Sequence, residues 1–420
     1  MTELAGARPL SNKWVVLALM LAIALLNYGD RYLLAGLAQP IKLEFGMSDG
    51  FMGLLMGPAF ALLYSLVAVP IAIHADRTSK VAIICAGCVM WSLFTVLSGL
   101  ATSTGMLALA RVGVGIGEAA FQAPAYALLA AYFLPEQRGK AYAVMGMAVY
   151  FGQLLGYVGG PAIAARGTWH DAFEVLGGIG IAIGVLAWLI LREPPRPALP
   201  TTKVHEPLWP QFQQLWAAPS FRWMSLGMAL GTLSGVSFGM WGPALFERAY
   251  GLSTQQASGT FGLAFGLPGL LGMLVFGFAV DHLARRDRRW LLRLAAGALF
   301  SATALILLVT WMPSIVAARW LAVPSGLLGG GWSVGIFTAL QYVLPDRSRV
   351  TGTALAMLVI NLLGYVTGPF IAGQLSDMVM GEGAYGLRVA LSLVIPLGFV
   401  GAALMWLAGH SLEQDRARLA

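Results

Sequence analysis

Leu154-Leu-Gly-Tyr-Val-Gly-Gly-Pro161 and Leu362-Leu-Gly-Tyr-Val-Thr-Gly-Pro369 differ at one of their eight positions and stand half a chain apart. Two further segments keep that offset. Pro135-Glu-Gln-Arg-Gly-Lys140 answers Pro345-Asp-Arg-Ser-Arg349, and His74-Ala-Asp-Arg-Thr-Ser-Lys80 answers Asp281-His-Leu-Ala-Arg-Arg286. Self-similarity in register over three segments marks a duplicated unit. The chain therefore reads as two related halves.

The surroundings of these segments say what the unit is made of. The 420 residues are 58% hydrophobic and 11% charged, against about 25% charged in an ordinary soluble domain. Val81 to Ala110 contains no charged residue, and neither does Ala119 to Leu134. At a rise of about 1.5 Å per residue such runs cross a hydrocarbon core of about 30 Å. A soluble protein is excluded.

Apolar runs and their breakers predict helices over 14–38, 50–74, 80–101, 104–133, 139–165 and 170–191, then 222–247, 254–282, 288–311, 314–343, 349–379 and 384–408. Between the sixth and seventh lies a stretch with Pro194, Pro195, Pro197, Pro200, Pro207, Pro210 and Pro219. Proline removes a backbone donor and fixes φ, so no helix is expected to span it. The fold class that follows is an all-α membrane protein. Its twelve transmembrane helices form an N-terminal six-helix bundle (1–191), a linker (192–220) and a C-terminal six-helix bundle (221–420).

Basic residues orient it. Alternate connections hold Arg77 and Lys80, Arg138 and Lys140, Arg192, Arg196 and Lys203, Arg285 to Arg293, and Arg347 and Arg349. The opposite set holds isolated Lys42, Arg166, Arg248 and Arg388. The rich side is cytoplasmic, and both termini fall on it. That distribution accounts for the net charge of +7 without a nucleic-acid partner. A parallel repeat of six-helix halves suits rocking around a site at the midplane.

Other chemistry has no footing. Cys85 and Cys88 form a C-x-x-C inside an apolar run with no further ligands, and the five histidines never cluster. No metal, cofactor or catalytic constellation is expected, so an enzyme or receptor is the weakest of the readings.

Four charges stand where lipid-spanning helices should have none: Asp30, Arg31, Arg111 and Glu118. Each costs roughly 2.5–3.5 kcal/mol at mid-helix, so they face a cavity or one another. Arg111 and Glu118 share a helix face, which steps of four extend to Gln122 and Tyr126. Arginine grips phosphate or carboxylate through planar paired hydrogen bonds, and a desolvated carboxylate can carry a proton. The other reading makes Asp30–Arg111 and Arg31–Glu118 structural ion pairs between the first and fourth helices. Such pairs stabilise poorly for their desolvation cost, which favours function. Arg319 is the repeat equivalent of Arg111 and is expected near the outer interface. The second half has no counterpart of Glu118; Trp241, Trp332, Gln341, Asn361 and Tyr365 are its polar-tipped lining candidates, with Tyr64, Tyr150 and Gln153 from the first half.

Asp76-Arg77-Thr78-Ser79-Lys80 resembles the signature of the major facilitator superfamily, in which Asp and basic residues latch helix ends. That likeness implies a conformational latch at Asp76, Arg77 and Lys80. Asn27-Tyr-Gly-Asp-Arg-Tyr32 with Ala35-Gly36, and Arg111-Val-Gly-Val-Gly-Ile-Gly-Glu118-Ala, resemble the Spinster branch. So do Arg192-Glu-Pro-Pro-Arg196, Arg285-Arg-Asp-Arg-Arg-Trp290 and Gly386-Leu-Arg388. The resemblance spans nearly the whole chain. It implies proton-coupled or facilitated movement of lysolipids, sphingoid phosphates or related amphipathic anions, with Asp30 and Glu118 in protonation and Arg111 in substrate contact. Arg31, Gln122, Tyr126, Tyr64, Trp241, Asn361 and Tyr365 complete the expected substrate site. The organic-anion symporter branch shares the Asn-Tyr-x-Asp-Arg and Arg…Glu elements, leaving a small soluble organic acid as the alternative substrate. The expected partners are thus a lipid-like or small anion, protons and membrane lipid. By resemblance alone, short loops suggest a bacterial inner-membrane protein, and a monomer is the expected state.

Overall fold

The computed structural model describes residues 11–194, 208–345, 349–379 and 383–419. Among them, eleven helices are long and apolar enough to cross a membrane. Spans one to six are Lys13–Gly36, Asp49–Ala68 (continuing to Arg77), Lys80–Gly99, Thr104–Tyr132, Pro135–Ala164 and Trp169–Ile190. Spans eight to twelve are Thr254–Ala284, Trp290–Trp311, Ile315–Val343, Thr351–Met378 and Tyr385–Leu419. The expected span seven is Pro219–Tyr250, a 32-residue helix, less apolar because it carries Ser225, Thr232, Ser234 and Ser237 on its buried faces.

Two expectations about the linker are corrected. Leu208–Ala217 is helical, and span seven begins at Pro219. Both follow from where the prolines fall. Pro210 is in the first turn of its helix and Pro219 is the first residue of the next, positions whose missing N–H has no intrahelical partner anyway. Leu215 is buried in the second-half core and anchors the short helix there. The linker's 195–207 lies outside the described residues.

Several spans are not the uninterrupted helices their apolarity suggests. Span two breaks at Gly57, just before Pro58. Span four breaks at 119–121, just before Pro124. Three other spans widen into π turns: Leu155–Gly159 in span five, Gly262–Gly266 in span eight and Asn361–Val366 in span eleven. A proline follows each: Pro161, Pro268 and Pro369. A proline ring clashes with the carbonyl four residues earlier and leaves it unbonded, so the preceding turn must open or widen. The repeated Leu-Leu-Gly-Tyr-Val…Pro motif is thus a π turn and its cause.

Spans two, five, eight and eleven meet at the seam between the halves, and their outer parts are in close contact. A Cβ on Gly53 would stand 2.6 Å from the Pro369 carbonyl oxygen, and one on Gly57 2.5 Å from that of Val366. Only glycine permits backbones to approach so nearly. The Tyr157 hydroxyl donates to the Gly239 carbonyl at 2.6 Å and the Ser258 hydroxyl to that of Gly36 at 2.7 Å, both across the seam. At the other end of spans five and eight, Gly139 and Gly277 face open space.

Candidate functional site

Asp30 and Arg31 are neighbours on span one, so their side chains leave the helix about 100° apart and meet different partners. Arg111 Nη1 donates to Asp30 Oδ2 at 2.9 Å, and the Thr95 hydroxyl of span three donates to Asp30 Oδ1 at 2.9 Å. Arg31 Nε donates to Glu118 Oε2 at 2.7 Å. The four charges form two ion pairs joining spans one and four, and their sum is zero.

The pairs differ in access. Arg111 is 1% exposed and Asp30 3%, and both oxygens of Asp30 are hydrogen-bonded. Glu118 is fully buried, yet its Oε1 has no hydrogen-bond partner among the described residues. Arg31 keeps 11% of its side chain exposed. Its guanidinium lies over Tyr28, Phe60 and Tyr64, with Cζ to ring-centre distances of 5.3, 4.9 and 4.7 Å, and Nη2 donates to Asn27 Oδ1 at 3.3 Å. These are favourable cation–π separations. Phe60 is also 5.4 Å from the Arg111 guanidinium, so one ring separates the two arginines. It is delivered there by the Gly57–Pro58 break.

A small cavity of the first half is lined among others by Asn27, Tyr28, Gln122, Tyr126, Met145 and Val149, and Arg31 meets it through Asn27 and Tyr28, which touch its guanidinium. Gln122 is exposed to it, donating to the Tyr28 hydroxyl at 3.3 Å and accepting from that of Tyr64 at 3.3 Å. The steps of four from Glu118 to Gln122 do not run along one helix, because span four breaks between them. Tyr126 lies edge-on to Tyr142 at 5.1 Å. Tyr365, like Tyr28 and Tyr64, packs against the first-half core, while Asn361 is half-buried at the first position of its π turn.

Some candidates lie elsewhere. Trp241 is fully buried in the outer seam, where its Nε1 donates to the Pro369 carbonyl at 2.9 Å. It is a sealing residue rather than part of the cavity, since span seven carries it past the midplane. Arg319 is exposed near the outer end of span ten. Of the latch residues, the Asp76 side chain lies outside the described residues, Arg77 ends span two and Lys80 begins span three. Beside them, Glu193 Oε2 accepts from the Ser79 hydroxyl and the Val81 amide, both at 2.9 Å, capping span three with an anion where the helix dipole favours one.

Asn27, Tyr28, Phe60 and Thr95 were missed as site residues. For Asn27 and Tyr28 a signal existed, since residues four and three before Arg31 share its helix face. For Phe60 and Thr95, on other spans, none did.

A family model described as Major Facilitator Superfamily matches residues 20–369. Among curated proteins, an "MFS-type efflux pump" of Mycolicibacterium smegmatis is 32% identical over 96% of this chain and 94% of its own. "Protein spinster homolog 1" of Bos taurus is 30% identical, covering 96% of this chain and 81% of its own. The "Sphingosine-1-phosphate transporter SPNS2" of Danio rerio is 28% identical over 84% and 74%. Among solved structures, a bacterial homologue of the human lysosomal transporter Spinster, inward-facing and unoccupied, superposes with a TM-score of 0.85 at 28% identity, covering 98% of this chain and 99% of that one.

Proposed function

This chain belongs to the major facilitator superfamily as a Spinster-like, multi-pass inner-membrane transporter, and we propose that its substrate is an amphipathic anion whose movement is coupled to protons. One observation carries the reading. Arg31 is balanced by a carboxylate with an unused oxygen, and Asn27 and Tyr28, which touch its guanidinium, line a small cavity.

An anion entering beside Tyr28, Tyr64 and Gln122 competes with Glu118 for the same guanidinium. If it takes that partner, Glu118 is left as a buried carboxylate without a cation, a state that a proton at Oε1 relieves. Anion arrival and proton uptake are then linked through one arginine. Asp30 is the poorer carrier, because both its oxygens are committed. Arg111, behind Phe60, holds Asp30 in place; substrate contact passes to Arg31.

The second half supports the amphipathic class. Its charged residues, such as Arg222, Arg248, Arg293, Arg319 and Asp377, lie toward helix ends, so it presents the midplane with an uncharged wall. An anion with a long apolar body satisfies both walls, whereas a small dicarboxylate satisfies only the first. The two six-helix bundles alternate about this site; a closed outer seam with open space around Gly139 and Gly277 fits the inward-facing end of the cycle.

The test is uptake of a labelled lysophospholipid and a labelled dicarboxylate into proteoliposomes, with and without an imposed pH gradient. Gradient-dependent lysophospholipid transport that Glu118→Gln abolishes supports the reading. Dicarboxylate transport alone overturns the substrate class, and gradient-driven transport intact in Glu118→Gln overturns the coupling.

A further inference from the structure

At the cytoplasmic ends of spans nine and twelve, basic, aromatic and small residues come together away from the cavity described above. Span nine begins at Trp290 and ends at Trp311. Twenty-one helical steps put these indoles about 31 Å apart, the hydrocarbon thickness, with each at an interface level where tryptophan concentrates. Arg293 therefore lies one turn inside the boundary. Its guanidinium sits between Trp290 and Trp406, 5.8 and 5.6 Å from the ring centres, and these indoles are 37% and 48% exposed. Its acidic neighbour, Asp287 Oδ2, is 3.9 Å away, beyond hydrogen-bond reach. Arg289, one turn nearer the cytoplasm, is exposed; its backbone amide donates to Asp287 Oδ1 at 2.9 Å, while its side chain has no acidic partner among the described residues.

Below this basic head the two helices present matched stripes, exposed except at the half-buried Arg293 and Phe399. On span nine, Arg289 and Arg293 continue to Gly297 and Phe300; on span twelve, His410 and Trp406 continue to Ala403 and Phe399. Contacts fix the register. Gly409 approaches the Arg289 carbonyl oxygen at 4.0 Å for an added Cβ, Arg293 meets Trp406, and the Phe300 and Phe399 rings are 4.8 Å apart. Between the cationic head and the aromatic floor stand Gly297, with open space around it, and Ala403.

We propose that this groove binds an anionic glycerophospholipid of the cytoplasmic leaflet, its phosphate on Arg293 and Arg289 and one acyl chain along Gly297 and Ala403. A guanidinium at this depth needs an anion that lipid supplies and water does not. Basic clefts between spans on the cytoplasmic side suit such headgroups. The planar guanidinium matches phosphate oxygens in pairs. Gly297 and Ala403 add no bulk beside the two helices, and the Phe300–Phe399 pair closes the groove below them.

The experiment uses the full chain in nanodiscs of phosphatidylcholine alone or with phosphatidylglycerol, reading lipid retained in native mass spectrometry and the unfolding midpoint. Phosphatidylglycerol should be retained and should raise the midpoint. Arg289→Gln with Arg293→Gln should weaken retention about tenfold or more. Arg285→Gln with Arg286→Gln, which changes the loop charge equally, should leave most of it. Gly297→Leu, which fills the groove and keeps every charge, should lose retention too and covers the case in which the arginine variant does not fold. Equal loss in both arginine variants means diffuse attraction and overturns the site. So does retention intact in Gly297→Leu, or the same midpoint shift from inorganic phosphate in phosphatidylcholine.

Discussion

Arg248 on span seven grips Asp49, the first residue of span two, through Nη1 and Nη2 at 2.7 Å each, so one paired hydrogen bond ties the outer ends of the two halves. Lys42 and the Ser376 hydroxyl bond the same carboxylate. Asp377 accepts from the backbone amides of Asp49 and Gly50 at 2.9 and 2.7 Å, occupying the free N-terminus of that helix from the opposite half. Removing one partner of a buried pair costs about 3–5 kcal/mol, far more than the intact pair contributes. Arg248→Gln should therefore lower the unfolding midpoint and loosen the outer seam. The checking measurement is the rate at which a membrane-impermeant maleimide reaches Ser258→Cys from outside. It should rise in the Arg248→Gln background; an unchanged rate means that another contact holds the seam shut.

The two buried carboxylates should respond differently to neutralisation. Glu118→Gln leaves Arg31 its ring cage and the Asn27 bond, so the fold should tolerate it while gradient-driven uptake falls at least about tenfold and substrate exchange without a gradient persists. Asp30→Asn strands Arg111 as an unpaired buried cation, and thermal stability should fall by roughly 3–5 kcal/mol. Comparing uptake, exchange and unfolding midpoint for both variants separates the roles. Equal behaviour would remove the distinction drawn between them.

Arg31 and Arg111 should separate in the same manner. Arg31→Lys keeps the charge but loses the planar group that three rings surround, so apparent substrate affinity should fall about tenfold, roughly 1.4 kcal/mol, at near-normal stability. Arg111→Lys should act mainly on stability. Substrate-induced shifts in unfolding midpoint read both effects at once. Affinity lost through Arg111 alone would return substrate contact to that residue.

Outside the membrane, Glu44 offers a pH effect with a definite sign. Partial burial pushes its carboxyl up, but hydrogen bonds from Trp169 Nε1 and the His170 ring outweigh this and hold it below the usual carboxylate value. A lowered folded-state pKa contributes stability that is present above the unfolded value and is lost as pH falls through the folded one. Unfolding midpoints taken from pH 6 down to pH 3 should drop more in the wild type than in Glu44→Gln. Parallel curves would show that the contact is energetically silent.

Much of the architecture was legible because lipid leaves few choices. Apolar runs must be helices, and the Leu154 and Leu362 segments declared the duplication. The ion pairs were legible as alternatives, because four charges on two spans admit few partners. The cage around Arg31 was only half legible. Tyr28 shares a helix face with Arg31, but Phe60 arrives from span two through a break at Gly57, and nothing in the sequence gives the angle of that break. Trp241 was misplaced for a related reason: an indole on an apolar span reads alike whether it borders a cavity or seals a seam, and only tertiary contact distinguishes them. The helix Leu208–Ala217 was missed because its prolines were counted without regard to position.

The widened turns of spans five, eight and eleven have one more consequence. A turn of this kind holds one residue more than an α turn over nearly the same length of axis, so each of these helices stores a residue of slack beside its proline. Passing that residue along the ladder swivels the stretch between its old and new positions by about 100° without stretching the chain, and the helix beyond keeps its direction. Side chains at the seam can thus be turned toward or away from the pathway within a single helix, and tilting of whole bundles is not the only motion the protein has available.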